Sequence, residues 1–159
     1  MWLLLAIALA GRVDRVLAVI DERVVLESDV RLDEELSVFD LSPVPFWTTG
    51  TGEERQIAAA VLDVAAGDVA LYRPADAAVR NRLEALRGAF ADRDAWQAFL
   101  SRWGFEESDM LGVLRQRMRV EAYLRRNIKV SPMDPAFTTA TAALLDELAP
   151  RVRVRRVEP

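Results

Sequence analysis

A chain of 159 residues is enough for one domain with one substantial core, and a composition that is 52% apolar and 29% charged excludes an intrinsically disordered chain. A net charge of -4 argues against a general nucleic-acid binder, whose domain is strongly basic. There is no histidine and no cysteine, so a disulfide framework, thiolate catalysis and the commonest metal ligands are all absent.

Residues 1–10, MWLLLAIALA, are an unbroken apolar run, with the first charges at Arg12, Asp14 and Arg15. The run is far shorter than the ~20 residues of a membrane span and suits the central region of a signal peptide. Ala8-Leu9-Ala10 supplies the small residues of a cleavage site, so export with a mature chain starting near Gly11 is expected, although no Lys or Arg precedes the run. A buried N-terminal helix or strand is the alternative.

RVLAVI (15–20) is rich in strand formers, DER (21–23) is a polar turn and VVL (24–26) is a second short strand, which together predict a hairpin. Ser28 or Asp29 then caps a helix to about Val38. Residues 39–52, with two prolines, two glycines and several Ser and Thr, form a loop that carries Phe46 and Trp47. Helical periodicity from Glu53 predicts a helix to about Arg73, weakest at Gly67, followed by a second helix that Pro74 starts and whose stripe is Val79, Leu83, Leu86 and Phe90. Asp92 or Asp94 caps a short helix bearing Trp96, Phe99, Leu100 and Trp103 and closed by Gly104. A long helix starts at Ser108 or Asp109 and runs to about Ile128, with Met110, Leu114, Met118 and Leu124 on its apolar side. A last helix spans about 138–149. The terminal RVRVRRV (151–157) alternates at period two, predicting a strand that pairs with RVLAVI and buries Val152 and Val154. The fold class expected is therefore mainly α: a helical core with a small β-sheet made by the N-terminal hairpin and the C-terminal strand.

The order of these elements resembles the N-terminal chaperone domain of the SurA family of periplasmic folding factors. Asp21, Glu22, Ser28 and Asp29 match the turn and helix start of that domain. Phe99, Gly104, Glu106, Glu107, Arg115, Tyr123, Val130 and Ser131 match its later helices, and LLDELAPRVRVRRV resembles its return to the first sheet. The resemblance covers nearly all of residues 11–159 and implies one non-catalytic domain that binds unfolded or outer-membrane client proteins. Only PMDPAFTTA separates the long helix from the last one, where many family members insert parvulin prolyl isomerase domains of ~90 residues. The parvulin active-site pattern cannot be present without histidine.

Each candidate contact residue has two readings. Helical spacing makes Trp96, Phe99 and Trp103 core residues. Phe46 and Trp47 lie in a proline-rich loop and fit a client-contact surface as well as a core. Met110 and Met118 fit core filling and also an adaptable groove for unfolded chains. Eight acidic and two basic residues between Asp21 and Asp40, against six basic and one acidic from Arg115 to Lys129, fit two solvated helix faces or a polarised cradle that steers clients. No catalytic motif, metal set or phosphate-cradling loop is present in the sequence. The expectation is a holdase chaperone that works on unfolded or partly folded proteins, without cofactor, metal, nucleic acid or peripheral membrane association. The alternative is an assembly subunit with one fixed protein partner.

Overall fold

The computed structural model describes residues 14–157. The expected signal peptide and its cleavage near Gly11 lie outside the described residues. Nine regular elements follow in order: β1 (Val16–Ile20), β2 (Arg23–Leu26), α1 (Glu27–Ser37), α2 (Gly52–Ala66), α3 (Asp76–Gly88), α4 (Arg93–Trp103), α5 (Glu107–Asn127), α6 (Ala136–Leu148) and β3 (Val154–Arg156). The fold is mainly α with one antiparallel three-stranded sheet, ordered β2-β1-β3.

The hairpin and the C-terminal strand meet as their sequences predict. Ile20 faces Arg23 across the Asp21-Glu22 turn, and Ala18, Val19 and Ile20 face Arg156, Arg155 and Val154. Asp21 sits at φ +50°, a left-handed conformation that Asp tolerates in a two-residue hairpin turn. Its N–H donates to the Arg153 carbonyl at 2.9 Å and its carboxylate accepts from the Arg153 N–H at 3.0 Å, so the turn itself also holds the C-terminal segment. One part of the expectation fails. Val152 is buried, but Val154 is 43% exposed because β3 is the edge strand and the helical cover ends before it.

Helix boundaries shift for identifiable reasons. Helix α1 is capped at Leu26, whose N–H donates to the Asp29 carboxylate at 2.8 Å, so Asp29 acts from inside the first turn. Ser28 is bound by Asp14 through both its N–H and its hydroxyl. Helix α2 stops at Ala66, because Gly67 at φ +51° turns the chain out of the helix where a side-chain-bearing residue would be strained, and a 3₁₀ turn spans Ala70–Tyr72. Pro74 precedes α3 by two residues instead of opening it, and Phe90 lies beyond its end. Asp92 caps α4 by accepting from the Ala95 N–H at 2.8 Å, and Gly104 closes it in the left-handed conformation. A Cβ on Gly52 would meet Glu34 Cγ at 2.8 Å and Val30 Cγ1 at 3.0 Å, so only glycine lets α2 start this close to α1.

The interior has two apolar clusters. One joins the sheet to α2, the second half of α5 and α6, through Ile20, Leu62, Val120, Leu124, Phe137 and Val152. The other joins α1, α3, α4 and the first half of α5, through Leu36, Val79, Leu86, Trp96, Phe99 and Met110. Helix α5, with 21 residues or about 31 Å of rise, runs through both.

Candidate functional site

Between the clusters lies a layer of buried charge. Asp33 of α1 accepts from Arg55 Nε of α2 at 2.8 Å and from Arg117 Nη1 of α5 at 2.9 Å. Glu121 accepts from both terminal nitrogens of Arg82, each at 3.2 Å, and from the Ser42 hydroxyl at 2.9 Å. Asp63 is closed by Arg23 and Arg119. The carboxylates of Asp33 and Asp63 have no solvent exposure and that of Glu121 almost none. Desolvation pushes the Arg117 guanidinium below its usual pKa, opposed by the Asp33 charge beside it.

The uneven charge seen in the sequence is therefore neither a pair of solvated faces nor an open cradle at these positions. The acidic stretch and the basic helix meet inside the protein at Asp33 and Arg117, and each buried carboxylate has more than one hydrogen-bonded partner. Such pairing satisfies buried charge, and it leaves none of these carboxylates without a cation beside it.

Phe46 and Trp47 sit in a 3₁₀ turn, Pro45–Thr48, within the expected loop, and both are buried, at 8% and 2% exposure. The reading of this pair as an exposed contact surface is corrected. Arg55 Nη1 donates to the Gly50 carbonyl at 2.7 Å and, more weakly, to that of Thr49 at 3.4 Å, which pins the loop against α2. The Arg117 guanidinium lies 4.0 Å from the Trp47 ring centre, and Phe46 meets Trp47 edge-on at 4.9 Å. The Trp47 indole N–H has no acceptor among the described residues, a cost of about 1–3 kcal/mol against which the contacts with Arg117 and Phe46 work.

The two rings nevertheless do different things. Trp47 belongs to the charge layer, whereas Phe46 lines an open apolar groove of about 320 Å³. Its floor and walls are Pro45 and Phe46, then Ala58 of α2, then Phe137, Ala142 and Leu145 of α6. Thr49, Thr138 and Thr141 add hydroxyls, and Thr141 donates its own to the Phe137 carbonyl at 2.9 Å. The volume falls at the low end of the ~300–1,000 Å³ typical of binding clefts.

Met110 is fully buried in the cluster around Trp96, and Met118 is half-buried at the edge of the same cluster. Neither lines the groove, so of the two readings core filling is what the structure shows and the methionine-lined groove is corrected: helical spacing places Met110 on the core side of α5, where α3 and α4 cover it. Of the four candidate contact residues, Phe46 alone reaches the groove. The residues missed in the sequence are those of α6, whose alanines and threonines carry little amphipathic contrast.

Among the described residues no group of acidic side chains is arranged to hold a metal ion, and no helix is long and apolar enough to cross a membrane. Compared with protein-family models, curated proteins and solved structures, the chain matches none.

Proposed function

We propose that the chain is a non-catalytic, exported holdase of the SurA N-terminal type, which keeps unfolded or partly folded client proteins from aggregating. The observation that supports this reading best is the open groove at Phe46 and Phe137. It offers apolar surface with few convergent polar groups, which suits weak, sequence-tolerant contacts more than a defined small ligand. The buried acids support the same reading, since Asp33, Asp63 and Glu121 are each held by arginines and none points into the groove as a free general acid or base. The shared order of elements, from the hairpin to the returning strand, is the second support.

The test is suppression of aggregation of several unrelated unfolded proteins by the purified chain. Broad suppression is expected; one tight partner with no general effect would instead identify an assembly subunit. Prolyl isomerisation of a proline-containing peptide should stay at the background rate. Mass spectrometry of the protein recovered from the periplasm should find an N-terminus at or near Gly11, and an intact Met1 on cytosolic protein would overturn the export part of the reading.

A further inference from the structure

The groove is walled by segments of unusual charge content. Residues 41–52 and 135–145 are the two longest stretches without a charged side chain among the described residues, at twelve and eleven, and no other exceeds seven. They are far apart in the chain, yet the turn at Pro45–Thr48 and the face of α6 bearing Phe137, Thr138, Thr141, Ala142 and Leu145 stand opposite each other across one cleft. In a chain that is 29% charged, both walls being neutral is a property of the site.

Two charged residues border the groove: Arg55 is engaged elsewhere, and Glu54 is exposed and keeps its charge at the groove's edge. Arg55 is buried and committed to Asp33 and to the Gly50 carbonyl. Glu54 caps α2: its carboxylate accepts from the Thr51 N–H at 3.2 Å and hydroxyl at 2.9 Å, and these bonds lower its pKa. The cleft beside α4 contrasts with this one, being lined by Arg87, Asp92, Arg93 and Glu107.

We infer that the groove selects uncharged polypeptide segments and rejects charged ones. This rests on the reading of the groove as the client site and names its substrate class. A client side chain entering between Phe46 and Phe137 leaves water for an apolar surface with no charge between the two rings, Glu54 standing at the exposed edge, so an ionic side chain that reaches the rings loses its hydration without replacement. A neutral segment loses little, and its backbone can bond to the exposed Thr138 hydroxyl. Attraction of this kind is apolar, so salt does not screen it.

The experiment is fluorescence anisotropy on the full chain with a labelled peptide of Ala, Thr, Leu and Phe, and with the same peptide carrying two Lys or two Asp in its centre. The neutral peptide should bind with the same affinity at about 50 and about 500 mM salt, and each charged version should bind about tenfold or more weakly. Ala142→Glu, which places a carboxylate on an exposed position of the wall, should weaken the neutral peptide by about tenfold, while Ala142→Ser should not. Both variants should melt with the wild type. Equal binding of neutral and charged peptides, affinity that falls with salt, or wild-type binding by Ala142→Glu would overturn the inference. So would a concentration-dependent dimer that Ala142→Glu dissociates, since the occupant would then be a second copy of the chain. General aggregation suppression without preference for neutral peptides would defeat this inference and spare the holdase reading, whereas preference for neutral peptides without any suppression would defeat the holdase reading.

Discussion

The cluster around Trp96 draws on residues 32–41 and 79–118, whereas the cluster around Ile20 and Leu62 collects residues from 18 to 72 and from 120 to 152. The first is assembled largely from successive helices and is rich in aromatic contacts, with Phe90, Trp96 and Phe99 within 5.1–5.7 Å of one another. The second is largely aliphatic and alanine-rich, and it draws on both ends of the chain, which meet in the sheet. Helix α5 serves both, and the arginines at its middle, Arg117 and Arg119, meet buried acids from α1 and α2. The difference separates two tasks: the aromatic cluster gives a local foundation whose own cleft is edged by charge, while the end-joining cluster carries the apolar groove on its outer side.

The largest effect that breaks this comparison is removal of the paired aromatics. Phe46→Ser together with Trp47→Ser should cost more than about 5 kcal/mol, because two buried rings are lost and Arg117 loses its stacking partner. Against a stability of ~5–15 kcal/mol, chemical denaturation should find the variant largely unfolded. An unchanged melting temperature, the outcome an exposed pair would give, would show that the turn is not part of the core.

Next comes the charge layer. Asp33→Ala leaves Arg55 and Arg117 buried beside each other without their anion, and urea denaturation should show a loss of about 3–5 kcal/mol. A loss below about 1 kcal/mol would mean that the two clusters do not depend on the layer between them.

The sheet separates two neighbouring valines. Val152→Asp should cost about 3 kcal/mol by burying a carboxylate, and Val154→Asp under about 1 kcal/mol on the exposed edge. Equal costs would place both side chains on the same side of the cover, as the period-two pattern alone suggests.

The smallest effect is a matter of pH. Burial raises the Asp29 pKa above 3.8, partly offset by the Leu26 N–H bond, so the folded state binds this proton more tightly than the unfolded chain. Asp29 then costs stability above its folded pKa, and the cost is relieved as pH falls through that value. Asp29→Asn should remove this component, so the stability difference between variant and wild type should shrink in acid.

Much of the fold is legible in the sequence because periodicity and caps are local: the hairpin, the Asp92 cap, the Gly104 stop and the pairing of the chain ends all follow from short patterns. Val154 is misread because alternation shows which residues share a face without showing how far the cover extends. The groove is harder to read for a related reason. Phe46 stands out in its loop, but Phe137 and Leu145 meet it only through tertiary packing, and Arg55, which fixes that loop, looks in the sequence like any surface arginine of a helix.

Hydrogen exchange of the full chain, followed with and without an unfolded client protein, tests the central claim most directly. The account predicts added protection at 46–51 and along α6, with α3 and α4 unchanged. Protection confined to α3 and α4, or no change at the groove while the client is held soluble, would contradict it.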